Sequence, residues 1–370
     1  MTQPAQLSAV RQRRLELYYM KTIAIFLMAM QHSMECLANF DYEVVAPVGV
    51  FQHAMEFSWE FLCAGIFLFT IGFGVIYTRK QSPAQMAKRG LKLLADAYLL
   101  NIARGVLPLL LFWLVKGELD REMLFVNLFT VDVLHFAAIA YLIMALLKQC
   151  RISRSFFLPI AFLMLSIWPF AMEPMSQIES PMLRAALDLF VRCDDLSIFP
   201  FLNYFIYVTV GMMAAEFFAG RERPVGFYRM LLLYMAVFWA GVLLYGHANG
   251  VSIRAYYDLS CQQDLPDFQM LILEATLMLG EFALFHLLHR HVRENGKAFE
   301  LIRFCGTKLT SIYIVHWIMI GWLSVVVRML GWEGWPFEIT ALISVGITLI
   351  SIGIVKLITK GRKSSHGARV

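Results

Sequence analysis

Charge is what this sequence has least of. Asp, Glu, Lys and Arg make up 16% of its 370 residues, against about a quarter in an ordinary globular domain, while 59% are hydrophobic. That deficit makes a water-soluble fold a poor reading. Phosphate-binding glycine loops, Walker patterns, zinc-ligand spacings and serine elbows are also missing, which removes the chemistries that announce themselves by those motifs. No internal repeat and no low-complexity linker divides the chain, so residues 1–370 read as a single membrane domain. Six cysteines form no framework, because Cys36, Cys63 and Cys305 lie in or beside apolar runs.

What is present in quantity is apolar length. Mean hydropathy is +0.63, and runs long enough to cross a hydrocarbon core of about 30 Å recur throughout. They predict an all-α bundle of about ten transmembrane helices: Tyr18 to Asn39, Phe57 to Thr78, Leu91 to Val115, Leu124 to Leu147, Phe156 to Met172, Phe199 to Phe218, Phe227 to Tyr245, Phe268 to Leu288, Leu309 to Val327 and Phe337 to Ile358. The first run is not read as a cleaved signal peptide, because it carries Lys21, Gln31 and His32 and has no small-residue cleavage site.

The formal net charge of +5 follows the connections rather than a nucleic-acid face. Alternate connections are basic: Arg11 to Arg14, Arg79 to Lys92, Lys148 to Arg154, Arg221 to Arg229, Lys297 with Arg303, and the tail from Lys356. The intervening ones hold few cations, and none lies between Phe40 and Glu56. The positive-inside rule then places residues 1–15 and the tail 359–370 in the cytoplasm, which requires an even number of spans. On this topology Cys193 and Cys261 share the outer side, and whether they pair is open. Two longer outer connections, Glu173 to Ser197 and Gly246 to Asp267, read equally as acceptor-binding elements or solvated connectors.

Ionisable residues inside spans are costly, so each requires a partner or a use. Lys21 and His32 are eleven positions apart on the first span, about 20° past three full turns, so both project from one face about 16 Å apart. Lys21 sits at the cytoplasmic boundary and His32 beyond the midplane. An extended thioester of coenzyme A would bridge them, its phosphates at the cytoplasmic mouth and its acyl group at the imidazole. Lys21 alone also fits a snorkelling cation. Neutral imidazole is the side chain suited to take a proton from a hydroxyl or amine, or to carry an acyl group, at physiological pH. His53, in the first outer connection, competes with His32 for that role, and Glu60 would orient either ring. Asp132 and His135 at i, i+3 share a face of the fourth span and are either a self-satisfied buried pair or part of the site. Asn101 and Arg104, Glu274 and Glu281, and the run Ser311, Tyr313, His316, Trp317 pose the same question. His286, His289 and His291 read as an interfacial anchor, with no metal expected.

Several of these stretches resemble the transmembrane acyltransferase superfamily, which includes acyltransferase family 3, the heparan-glucosaminide N-acetyltransferases and the conjugative pilin acetylases. Arg14-Leu15, Lys21-Thr22-Ile23-Ala24, Leu27-Met28 and His32 resemble its opening signature. Lys21 stands where family 3 has Arg and the pilin acetylases have Lys. Phe67 to Gly74 with the basic stretch through Arg89 to Leu94 is similar to the second span and its loop. His53 falls near the lumenal histidine of the heparan-glucosaminide subgroup. Asp132 to Phe136 and Ser311 to His316 are similar to later motifs. The resemblance implies an acyltransferase of the bacterial inner membrane, taking acetyl from cytoplasmic acetyl-CoA to a hydroxyl or amine of an extracytoplasmic carbohydrate or lipid-linked acceptor. His32 or His53 would act, with Asp132, His135 and Glu60 in support. Lys21, Arg79, Lys80, Arg89, Lys92 and Arg104 would bind the donor. Membrane lipids are the other partners, nucleic acid is not one, and a homo-oligomer is compatible with the sequence. A secondary transporter or flippase would use similar intramembrane residues, although transporters commonly show repeats and broken helices in pairs.

Overall fold

A computed structural model of the protein describes residues 14–39, 50–78, 82–117, 119–193, 196–219, 223–250 and 268–367. Helices dominate: α1 (Glu16–Leu37), α2 (Val50–Tyr77), α3 (Pro83–Asn101), a π-helical segment (Ile102–Val106), α4 (Leu107–Lys116), α5 (Arg121–Phe129), α6 (Val133–Gln149), α7 (Phe157–Ser176), α8 (Pro181–Leu187), α9 (Phe201–Phe218), α10 (Val225–Ala248), α11 (Phe268–His289), α12 (Lys297–Met329) and α13 (Phe337–Gly367). Among the described residues there is no strand, only isolated bridges from Ala38 to Trp335 and from Val131 to Ser197.

The protein is an all-α, multi-pass membrane bundle. Among the described residues seven helices are long and apolar enough to cross a membrane: Pro83–Lys116, Arg154–Ser176, Phe201–Phe218, Val225–Ala248, Met270–His289, Lys297–Met329 and Phe337–Gly361. Each overlaps one of the ten expected spans. Of the other three, α1 carries Glu16, Lys21 and Glu35 and is too polar to join them, and α2 contributes a shorter apolar stretch, Cys63–Tyr77. The expected span Leu124 to Leu147 is not one helix. It breaks between α5 and α6, because Asp132 adopts extended backbone (φ −107°, ψ −175°) and its carboxylate accepts from Leu134 N, closing the amino end of α6.

The chain forms two compact units. The first comprises Met1–Glu16, Ala64–Tyr98 and Phe129–His291; the second comprises Leu17–Cys63, Leu99–Leu128 and Val292–Val370. In the first, α2 and α9 cross at reciprocal glycines. A Cβ on Gly72 would lie 1.9 Å from Val208 O and one on Gly211 would lie 2.1 Å from Phe69 O. Lipid offers no hydrophobic drive between helices, so backbones draw close through small residues and dispersion contacts. At the end of this unit that carries Arg14, Glu16 Oε1 meets His286 Nδ1 at 2.6 Å, and the His286 ring stacks on Tyr228 at 3.6 Å. His286 thus has a carboxylate partner that lies far from it in sequence.

In the second unit α12 is kinked at Lys308 (φ −106°, ψ 16°), where the sequence begins its ninth apolar run. Gly306 lets α12 press against Tyr18, since a Cβ there would meet Tyr18 at 2.7 Å. At the other end of α1, Leu37 packs with Ile320 of α12 and Ile347 of α13. Trp335 N donates to Leu37 O at 2.9 Å, and Gly334, at φ +106°, allows the approach that stops α1.

Candidate functional site

The π-helical segment explains how the second unit builds a polar cluster. Leu107 N donates to Ile102 O, one residue further back than in an α-helix. The next donor in that register would be residue 108, but Pro108 has no N–H, so Ala103 O is left over. Trp322 Nε1 of α12 supplies the missing donor at 3.0 Å. One position away, Gly321 leaves room for Arg104 O, which a Cβ would meet at 2.0 Å. The irregular turn therefore clamps α12 against the residues around Arg104. Such π-bulges recur at functional sites.

Arg104 projects from this turn over the Trp317 ring, its Cζ 4.2 Å from the centroid, and Nη2 donates to Asn101 Oδ1 at 2.9 Å. Asn101 in turn donates from Nδ2 to Leu128 O at 3.0 Å. The same indole stacks on His32, with centroids 3.9 Å apart. His316 lies beside them, its ring within 8° of parallel to His32 and 5.8 Å away. The His32 side chain is 15% exposed, and its Nδ1 lies 3.2 Å from Glu35 Oε2. His316 is fully buried; its Nδ1 lies 3.2 Å from Ile312 O, while Nε2 has no hydrogen-bond partner among the described residues. Trp317 Nε1 donates to Tyr313 Oη at 2.9 Å.

Chemically, this is a carboxylate-oriented imidazole on an aromatic platform, with a guanidinium across that platform and a second imidazole adjacent. With Glu35 accepting from Nδ1–H, the lone pair of the His32 ring rests on Nε2, the nitrogen able to serve as nucleophile or base. Further along α12, a cavity of about 440 Å³ is lined by Leu109, Phe112, Asp120, Val325 and Arg328. Val325 is eight residues beyond Trp317, about 12 Å along the helix.

The structure places the expected residues as follows. His32 and Arg104 meet on Trp317, a pairing that spacing alone did not reveal. Lys21 is half-buried on α1, and the unbroken helix keeps it one face and about 16 Å from His32. His53, expected in a connection, instead falls with Glu60 on α2, in the stretch whose side chains lie outside the described residues, and Arg79 and Lys80 lie outside the described residues altogether. The observed carboxylate on His32 is Glu35, which sequence reasoning missed although i, i+3 spacing on one helix could have found it. Asp132 and His135 belong to the first unit and form a capping box, with His135 Nδ1 3.3 Å from Asp132 N and 3.2 Å from Oδ1; the Tyr98 ring meets His135 edge-on at 4.7 Å. Arg89 lies over Tyr141 at 4.5 Å, and Lys92 pairs with Asp96 at 2.5 Å, both exposed on α3.

A family model, that of the heparan-alpha-glucosaminide N-acetyltransferase catalytic domain, matches residues 13–238. The chain belongs to that family. Comparison with the curated proteins and with the solved structures gave no match. Family membership makes the protein a membrane-embedded acetyltransferase. The matched stretch includes Lys21, His32, Glu35, Asn101 and Arg104. It ends before α12, so the partners of His32 on that helix are a finding of the structure alone.

Near the basic connection after α6, a cavity of about 250 Å³ in the first unit is lined by Lys148, Ser153 and Arg154 over apolar Met86, Met144 and Phe157. Burial, and then the charge of Arg154, lowers the pKa of Lys148. Sequence reasoning had placed these two cations only in the topological count.

Proposed function

We propose that the protein transfers an acetyl group from cytoplasmic acetyl-CoA to a hydroxyl or amine of an extracytoplasmic, glycan-type or lipid-linked acceptor. The observation that carries this reading is His32. Its ring is held by Glu35, lies on Trp317 beside His316, and shares a helix face with a cation about 16 Å away.

In this reading the chain spans a bacterial inner membrane about ten times with both ends inside. Lys21, Arg79, Lys80, Arg89 and Lys92 receive the donor's phosphates at the cytoplasmic mouth. The pantetheine arm runs along α1, and His32 Nε2 meets the thioester carbonyl. Arg104, held over Trp317, serves the site near His32 rather than the phosphates. The α12 cavity with Arg328 and Asp120 suits a polar acceptor. Its Phe112 supplies an apolar wall of the kind that sugar rings pack against.

Thiol release from acetyl-CoA by the purified protein, with glucosamine as acceptor, tests the reading. Wild-type protein should release thiol and yield acetylated glucosamine, and His32→Ala should not. Absence of both acyl-CoA binding and turnover with every glycan offered would favour a transporter instead. Activity that survives His32→Ala but is lost in His53→Ala would move the catalytic role to α2.

A further inference from the structure

His316 is the residue that neither the family match nor the expected mechanism uses. It lies beyond the matched residues 13–238. Its imidazole is 0% exposed, and with Nδ1 engaged by Ile312 O at 3.2 Å the neutral tautomer carries its lone pair on Nε2. Among the described residues that nitrogen has no hydrogen-bond partner, although buried polar atoms nearly always have one. A buried acceptor atom left open beside a reactive group calls for a donor that arrives with the substrate. The ligand chemistry it fits is an O–H or N–H.

The neighbouring geometry says what that donor would be doing. The His316 and His32 rings are 8° from parallel with centroids 5.8 Å apart. A carbon bonded to His32 Nε2, an attacking oxygen or nitrogen bonded to that carbon, and a hydrogen bond onward to His316 add two bonds of about 1.5 Å and a contact of about 2.8 Å. With ring centroids 5.8 Å apart, the two imidazoles lie within the reach of one acyl carbon and the atom that attacks it. The edge-on ring of Tyr313, 5.3 Å from His316, and the bond from Nδ1 to Ile312 O hold the ring in place.

We propose that His316 is the base that deprotonates the acceptor, so that two imidazoles divide the transfer proposed above. In the first half His32 Nε2 attacks the thioester carbonyl, the C–S bond breaks, and coenzyme A leaves as thiolate. The acyl-imidazolium keeps its Nδ1 proton against Glu35. In the second half the acceptor's oxygen or nitrogen bonds to the acyl carbon while His316 Nε2 takes its proton. The bond from carbon to His32 Nε2 breaks, and its electron pair restores neutral His32. His316 then releases its proton to solvent, where the thiolate takes up one equivalent.

This proposal rests on the acetyl-transfer reading, and the two fail differently. In rapid-quench experiments with acetyl-CoA, purified full-length wild-type, His316→Ala, His316→Gln and His32→Ala proteins are compared with and without glucosamine. Wild type should show a thiol burst without glucosamine and transfer with it. His316→Ala should keep the burst within about threefold and lose transfer by about 10²- to 10⁴-fold. It should accumulate an acetylated protein visible by intact-mass spectrometry, and added imidazole should restore part of the transfer. If His316→Ala does not fold, His316→Gln, whose amide can still reach Ile312 O, decides. Loss of burst and transfer together in a folded variant, or wild-type transfer in both variants, overturns the role of His316. A wild-type protein with no burst and no transfer overturns the acetyl-transfer reading itself.

Discussion

Two carboxylate–imidazole pairs in this protein look alike on paper. Glu35 with His32 and Asp132 with His135 are both spaced i, i+3, and both contacts measure 3.2 Å. They differ in what the backbone asks of them. Asp132 precedes α6 in extended conformation, where unpaired amides must be met, and the pair bonds Leu134 N and Asp132 N. His32 sits inside α1, where the helix already satisfies its own amides. Its ring is left for the indole of Trp317, for His316 and for the 15% of its side-chain surface that stays open. Spacing brings an acid and a base together; the helix end decides whether the backbone consumes them.

The largest effect that would sharpen the contrast is at His32. His32→Ala should lower acetyl transfer by about 10²- to 10⁴-fold with little change in thermal unfolding, measured by thiol release and by a melt in detergent. Glu35→Gln should keep the imidazole but loosen its tautomer, and a drop of about ten- to a hundredfold in kcat at nearly constant KM is expected. An unchanged kcat would make Glu35 a bystander.

The clamp between α12 and the π turn is next. Gly321→Ala puts a methyl group on Arg104 O and should cost about 1–3 kcal/mol in unfolding free energy. Trp322→Phe should cost a similar amount, about 1–3 kcal/mol, by stranding Ala103 O. If these variants melt like wild type, the π turn does not hold the site together. Asp132→Ala is expected to have the smallest effect, about 1 kcal/mol for a lost cap. A full-stability Asp132→Ala protein with a much lower transfer rate would erase the comparison and give Asp132 a part in the chemistry.

Much of the architecture was legible in advance because its causes are local. Apolar length marked seven spans that recur, among the described residues, as helices long and apolar enough to cross a membrane, and the apolar run starting at Leu309 begins at the kink of α12. The fourth expected span was misread as continuous. Hydropathy does not register that the three residues from Thr130 to Asp132 leave the helix, with Asp132 capping the start of the next one. The candidate site was legible in part. Lys21 and His32 on one face follow from helical period alone, and Glu35 was available by the same arithmetic. Arg104 was grouped with the donor-binding cations because charge was all the sequence offered. Its contact with Trp317 depends on a helix two hundred residues away.

The sequence by itself determined that this chain is a helical membrane protein with a cation and an imidazole on one face of its first helix, since hydropathy and a 3.6-residue period act between near neighbours. Tertiary structure decided which groups surround that imidazole. Pro108 leaves one carbonyl bare, Trp322 covers it, Gly321 lets the backbones close, and His316 and Trp317 arrive beside His32 as a result. Contacts of that kind depend on how whole helices seat against one another, and no local period records them.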